Sequence, residues 1–334
     1  MTRPSSSTVA RGWWFVDHLE CPDCGGTLSE VPGQGIHCEG CAREFAAAGR
    51  AIRCFPTSDR VIPLSVPPGL HAPTWPAWTP PPHSYDGPLS AWTNARHLSI
   101  LADRPGRLDV LDLGCGAAEY RAPVQRLGHR YLGFDAEADG ADVLGDAHRL
   151  PLRSASFDHV LTNAVLEHVA NPVLAVREVA RVLRPGGVFS GSVAFLEPHH
   201  AGSYFHMTAD GVAYVLASAG FHIVALWPQE RWMVFESLAT MPGPLSGLSR
   251  RLLRVIASWE RFVRARHLHP RALRQGRWLR RRRQEELWRE LLTLTGQVDF
   301  HACRPASLPG PVASEPGAPG VSRSPVHAGE RRPG

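Results

Sequence analysis

Two Cys-x-x-Cys pairs, Cys21-Pro-Asp-Cys24 and Cys38-Glu-Gly-Cys41, stand 13 residues apart. Two such knuckles can bring four thiolates round one tetrahedral zinc ion, with Zn–S bonds near ~2.3 Å. Gly25, Gly26 and Gly40 let the backbone turn close to the metal. Unrelated thiols would not repeat the spacing, and a disulfide pair belongs to exported chains. Four thiolates leave no open coordination position, so this chemistry is structural.

A second kind of chemistry lies in Asp112-Leu-Gly114-Cys-Gly116-Ala-Ala-Glu119. A Gly-x-Gly turn after a strand lets the backbone approach a ligand closely. A dinucleotide fingerprint would place a third Gly where Glu119 stands. Asp135 ends the next apolar run, 19 residues after Gly116, where a carboxylate can bind ribose hydroxyls. Asp146-Ala147 ends the third, where a carboxylate can accept from an exocyclic amine. Four imidazoles, His168, His199, His200 and His206, fall near later strand ends. They are candidates for a general base or for ordinary hydrogen-bonded histidines.

The elements that must position these groups alternate. Apolar runs at 108–113, 131–134, 141–144, 157–162 and 187–194 are separated by helix-like segments. The clearest helix has Asn171 as N-cap, Pro172 at its first position and Val173, Val176, Val179, Ala180 and Leu183 in helical period. Pro185-Gly186-Gly187 stops it. Such alternation predicts an α/β fold with a parallel, doubly wound sheet. Residues 1–12 are expected to be disordered, 13–56 to hold the metal, and 57–89 to form a Pro-rich linker whose Trp75 and Trp78 dock on a neighbouring domain. Residues 90–304 are expected to form the main domain and 305–334 a disordered tail.

Several classes are excluded by composition. The chain has 334 residues, 43% of them hydrophobic, so it can bury a core, and no apolar run is long enough to span a membrane. The first residues lack the apolar stretch of a signal peptide, so a cytoplasmic location is expected. Every one of its 36 positive side chains is Arg. Fourteen Arg and four Glu lie between 250 and 290, a local +10 in a chain of net +5. That segment is a solvated helical face or a surface for an anionic partner, RNA or membrane.

Residues 108–228 resemble a class I methyltransferase of the type 11 group, which uses S-adenosylmethionine. The matching stretches are Val110-Leu-Asp-Leu-Gly-Cys-Gly116, Gly133-Phe-Asp135, Gly145-Asp-Ala-His-Arg-Leu-Pro151, Ser156-Phe-Asp158, Val165-Leu-Glu-His168 and Val182-Leu-Arg-Pro-Gly-Gly187. The resemblance implies a Rossmann-like, seven-stranded sheet with its last strand antiparallel. Residues 221–226 would be the sixth strand and 298–302 the seventh, with 245–294 a helical insertion between them. It implies that Asp112, Gly114 and Gly116 cradle the amino-acid end of the cofactor. Asp135 would bind the ribose, Asp146 and Ala147 the adenine, and Asn163 would lie near the sulfonium. His200, His206 and His168 are the candidates for the substrate lip.

Residues 13–56 resemble a Trm112-like zinc ribbon, a family that serves as adaptor or appendage to methyltransferases. Phe45 and the closing turn Gly49–Pro56 are shared features. Methyl transfer to an O or N nucleophile of a small molecule or sugar-containing metabolite is therefore expected. An RNA methyltransferase that grips phosphates through the ribbon and the Arg-rich insertion, and a non-catalytic scaffold, are the alternatives.

Overall fold

The computed structural model describes residues 13–31, 35–48, 51–57, 80–90, 92–200, 202–229, 232–240, 247–268 and 286–306. Four short strands come first: β1 (Leu28–Val31), β2 (Gly35–Cys38), β3 (Glu44–Ala48) and β4 (Ala51–Arg53). After α1 (Ala95–Ala102), strands and helices alternate: β5 (Asp109–Leu113), α2 (Arg121–Arg126), β6 (Arg130–Asp135), β7 (Val143–Leu144), β8 (Phe157–Asn163), α3 (Pro172–Val182) and β9 (Leu183–Ala194). The chain continues with α4 (Ala209–Ser218), β10 (His222–Pro228), α5 (Val234–Thr240), α6 (Gly247–Leu268), a helical stretch at 286–292 and β11 (Gln297–Cys303).

The seven strands expected from the sequence are β5–β11, ordered β7-β6-β5-β8-β9-β11-β10. β11 runs antiparallel to both β9 and β10, as the last strand should. The other neighbours in the group are parallel, and β5 is buried along its whole length, as a strand covered on both faces must be. Asn171 caps α3 by accepting from the Leu174 N–H at 3.2 Å, and Ala175, Val176, Val179 and Val182 form its buried face. α3 passes straight into β9. Pro185-Gly186-Gly187 belongs to the start of that strand rather than to a separate stop. The Gly186 N–H donates to Arg304 O and the Arg304 N–H to Gly187 O, both at 2.9 Å.

Two expectations need correction. The sheet has eleven strands, not seven, because the N-terminal meander continues it. β4 pairs in parallel with β7, the Ile52 N–H donating to Asp142 O at 3.0 Å and the Cys54 N–H to Leu144 O at 2.8 Å. β7 is only two residues long, and an uncovered edge there would leave ladder groups unpaired. The two units also share a core: Phe15, Val16 and Leu19 pack in the same cluster as Leu150, Leu152 and Phe157. The Pro-rich linker therefore does not hold two independent bodies apart. Its last part, 80–90, belongs to the main domain, with Tyr85 buried among Leu98, Leu101, Tyr120 and Tyr131.

Within the insertion, the apolar side chains of α6 and those of 286–292 differ in burial. Leu252, Val255, Trp259 and Phe262 of α6 are exposed, Trp259 by 67%, whereas Trp288 and Leu291 are buried against Met233. The expected disorder of 1–12 and nearly all of the 305–334 tail lies outside the described residues, as do Trp75 and Trp78. Among the described residues no helix is long and apolar enough to cross a membrane.

Candidate functional site

Gly114, Gly116, Asp135 and Asp146 all lie at the carboxyl ends of adjacent parallel strands, where open α/β sheets bind ligands. Gly114 has φ +72°, and a Cβ there would sit 2.3 Å from Val165 Cγ2, so no other residue fits. Gly116 also has positive φ, but a Cβ on it would meet only open space. The loop hangs from β6. The N–H groups of Gly114 and Cys115 both donate to Phe134 O, at 2.8 and 3.0 Å, and that of Gly116 donates to Asp135 Oδ2 at 3.0 Å. Asp135 Oδ1 accepts from the N–H groups of Glu137 and Ala138. One carboxylate thus fixes the Gly loop and its own turn together. It offers about four lone-pair sites, so capacity remains for a ligand hydroxyl.

Asp112 sits beneath the loop. It is 2% exposed and accepts a 2.5 Å bond from the Tyr131 hydroxyl. Burial pushes its carboxyl up to about 7, against the opposing pull of that bond. Beside it, Asp142 takes the Arg121 guanidinium and the Gly133 N–H, at 2.9 and 2.8 Å. Asp112 thus ties β5 to β6, and Asp142 ties β6 to α2.

Asp146 is held by a residue that sequence reasoning missed. His148 donates to Asp146 Oδ1 from its backbone N–H at 2.9 Å and from ring Nδ1 at 2.6 Å. The Asn171 N–H reaches His148 Nε2 at 2.9 Å. An amide N–H only donates, so Nε2 is the acceptor and Nδ1 carries the proton. These bonds hold the Asp146 carboxyl below its ordinary range. His148 therefore links this carboxylate to the N-cap of α3, and Ala147 lies half-buried between them.

Beyond the end of β8 opens a cavity of about 480 Å³. Its walls come from Trp92 and Asn94 before α1, from Trp227 and Trp232, and from Glu236 and Arg261 of α5 and α6. Glu236 and Arg261 form an ion pair, so the insertion contributes to this cavity. A polar row runs along the strands beneath. Ser192 Oγ donates to Asn163 Oδ1 at 2.6 Å, and Asp299 is the register partner of Ser192. Asn94 Nδ2 donates to Asp299 Oδ2 at 2.8 Å while Asn94 Oδ1 caps α1. Asn163 and Asp299 both line the cavity, so Asn163 joins it to the Gly-loop side. Asn94 could have been read as an N-cap and Asp299 as an acid inside an apolar run. Nothing in the sequence showed that they meet.

The structure brings His168, His200 and His206 together and keeps them off the cavity wall. The His168 and His200 ring centroids are 4.9 Å apart, and those of His200 and His206 are 5.6 Å apart. Burial lowers the His206 pKa, against the bond it makes to Phe195 O.

The four cysteines converge as expected. Cys21 Sγ is 3.7 Å from Cys41 Sγ, and Cys24 Sγ is 3.5 Å from Cys38 Sγ. A tetrahedral ion with ~2.3 Å bonds sets sulfur atoms ~3.8 Å apart, so the cluster fits one ion. The N–H groups of Gly40 and Cys41 donate to Cys38 Sγ, at 3.3 and 3.4 Å, and its thiol falls to about 7 despite desolvation. A Cβ on Gly26 would lie 3.0 Å from Cys38 Sγ, which accounts for the glycine.

A family model described as a methyltransferase domain matches residues 111–190. This segment is similar to a methyltransferase domain. It includes Asp112, the Gly loop, Asp135, Asp146, His148 and Asn163; the four cysteines, the Arg-rich insertion and Asp299 lie outside the matched residues. Ubiquinone biosynthesis O-methyltransferase of Maricaulis maris is 36% identical over 109 residues, which cover 28% of this chain and 43% of that protein. Mus musculus "Probable tRNA methyltransferase 9B" is 34% identical over 116 residues, 32% of this chain and 26% of that protein. An uncharacterized 37.1 kDa protein in transposon TN4556 of Streptomyces fradiae is 36% identical over 107 residues, 27% of this chain and 31% of that protein. The match thus spans less than half the length of each of these relatives. Among solved structures, Haemonchus contortus phosphoethanolamine N-methyltransferase 2 with S-adenosyl-L-methionine aligns at TM-score 0.39 and 16% identity, covering 63% of this chain and 52% of that one.

Proposed function

We propose that the chain is an S-adenosylmethionine-dependent methyltransferase acting on an O or N nucleophile of a small molecule. The observation that carries the substrate class is the 480 Å³ cavity beside Asn163, lined by three tryptophans and a few polar groups. Its size and lining suit a small organic acceptor. In this reading Gly114 and Gly116 receive the amino-acid end of the cofactor, with Asp112 bracing them from beneath. Asp135 takes the ribose diol, and Asp146, oriented by His148, takes the adenine amine beside Ala147. Bound S-adenosylmethionine supplies an electrophilic methyl group on a good, neutral leaving group.

What remains for the protein is to orient the acceptor and exclude water. Trp92, Trp227 and Trp232 supply the apolar walls. An amine acceptor reacts once uncharged, whereas a hydroxyl must give up its proton. Asp299 is the carboxylate placed to accept it, on the row that ends at Asn163. The three histidines, being off the cavity wall, do not hold this role in our reading.

The four cysteines hold a structural zinc ion that fastens the meander to the sheet edge. The Arg-rich stretch is proposed to meet an anionic surface, and its binding should weaken steeply between low and physiological salt.

The test is a screen of small-molecule acceptors and RNA with methyl-labelled cofactor. The reading expects label on a small molecule. With that acceptor, Asp299→Asn should cut turnover about 10- to 100-fold, at the lower end of the roughly 10²–10⁴-fold span of general acid–base catalysis or just beneath it. Cofactor affinity should stay within about twofold, because Asp299 lies outside that end of the site. Label on RNA alone would overturn the substrate class.

A further inference from the structure

Next to the acceptor cavity, two loops meet around a group of side chains that methyl transfer does not use. One follows β8 and carries Glu167 and His168. The other follows β9 and carries Glu197, His200 and His206. Glu167 O accepts the N–H groups of Tyr204 and Phe205, at 2.6 and 3.2 Å, which fixes one loop on the other. One ligand atom each from Glu167, His168 and His200 lies within 4.8 Å of the others.

We propose that Glu167, His168 and His200 form a second metal site, for a divalent first-row transition ion such as zinc. Three features carry this. His200 Nε2 and His168 Nε2 are 3.2 Å apart. Two nitrogens bound at ~2.0–2.1 Å to a tetrahedral ion stand ~3.3–3.4 Å apart, so almost no movement is needed.

The second feature is the tautomer. His200 Nδ1 lies 3.2 Å from Pro198 O, and a carbonyl only accepts, so Nδ1 carries the hydrogen. The Nε2 lone pair therefore faces His168. A ring N–H given to a backbone carbonyl is the usual outer-shell support of a metal-ligating histidine.

The third is Glu167. Its side chain is buried, Oε1 accepts the Ala194 N–H at 3.3 Å, and Oε2 has no hydrogen-bond partner among the described residues. A buried carboxylate oxygen without a partner is costly. An ion bridging it to the two imidazoles removes that cost.

Two histidines and one carboxylate leave a position open for water or a substrate atom. His168 is exposed and His200 half-buried, so the ion has a route in. This differs from the four-cysteine site, which is closed. It also stands apart from the methyltransferase reading, because none of the three residues is assigned to cofactor or acceptor.

The probe is cobalt(II), added to full-length protein whose cysteine site is already filled with zinc. One further equivalent should bind, with visible d–d bands and no thiolate-to-cobalt charge transfer. His168→Ala and His200→Ala should each weaken that equivalent at least about 100-fold, since loss of an outer-shell partner alone costs roughly 10–100-fold. Both side chains reach solvent, so neither change threatens the fold. His199→Ala, at an exposed neighbour outside the cluster, should bind as the parent does. Absence of the second equivalent in the parent protein overturns the proposal. So does an affinity loss under about tenfold in both variants, or charge-transfer bands that place the ion on cysteine.

Discussion

On the β5–β7 side of the sheet, the candidate residues lie in one stretch from Asp112 to His148, and backbone hydrogen bonds hold nearly all of them. On the β8–β11 side, the cavity takes Trp92 and Asn94 from just before α1 and Asp299 from the last strand, with Trp227, Glu236 and Arg261 between. The first side is a continuous motif folded on itself. The second is an assembly of distant segments joined mainly through side chains. Function can therefore change on one side without the other: the first fixes one ligand, whereas the second can be rebuilt without disturbing it.

The largest effect expected is on neither side alone but on the N-terminal meander that closes the β7 edge. Because β4 extends the sheet and Phe15, Val16 and Leu19 share its core, Cys38→Ser should destabilise the whole chain. Structural zinc sites contribute several kcal/mol or more, so the midpoint of thermal unfolding should fall by about 10 °C or more in a single transition. Two separate transitions, with the later one unchanged, would show the meander to be an independent body.

The two sides should also respond to pH with opposite signs. Beneath the acceptor side, burial holds His97 and His301 neutral, with pKa lowered to about 3 and about 4. Below about pH 6.5 the unfolded chain binds protons that the native state refuses, so their contribution is present above that pH and is lost as pH falls toward about 4. Beneath the Gly loop, Asp112 is raised to about 7 from 3.8, so its contribution is present below 3.8 and is lost as pH rises through about 7. Each group changes stability by at most about 1.4 kcal/mol per pH unit inside its window. Denaturant unfolding at about pH 4.5, 5.5 and 7.5 should show the acid limb flattened by His301→Asn and the opposite limb by Asp112→Asn. Equal pH curves for both variants would rule out the opposite signs.

A smaller effect is expected within the first side. His148→Ala removes the ring bond that orients Asp146, a bond to a charged group contributing about 1.5–3 kcal/mol, of which only the orienting part reaches the cofactor. Cofactor affinity should drop about two- to tenfold in calorimetric titration, with no loss of fold. No change would leave Asp146 oriented by its turn alone.

What could be read from the sequence follows the same division. Asp112-Leu-Gly-Cys-Gly, Asp135 and Asp146 are spaced by successive strand–loop units, so local pattern was enough to put them at adjacent strand ends. The antiparallel seventh strand was legible as well, from the resemblance and the apolar run at 298–302. The union of the N-terminal meander with the sheet was not. Ten prolines from 56 to 88 read as a separator, while the pairing of Ile52 with Val143 leaves no sequence mark. The apolar stripe of α6 showed its period but not its exposure. The three histidines were recognised as a group by chain position, yet only the fold shows His168 and His200 beside Glu167 and all three off the cavity wall.

Everything proposed for the first side requires S-adenosylmethionine to bind where Asp135 joins the Gly loop to the end of β6. Isothermal titration of the full-length protein with S-adenosylmethionine, repeated on Asp135→Ala, decides this. Hydrogen bonds to a charged group contribute about 1.5–3 kcal/mol each, so the variant should bind at least about tenfold more weakly while unfolding cooperatively as the parent does. An unchanged dissociation constant in a folded Asp135→Ala protein, or no binding by the parent, would place the cofactor elsewhere or remove it from the molecule's chemistry.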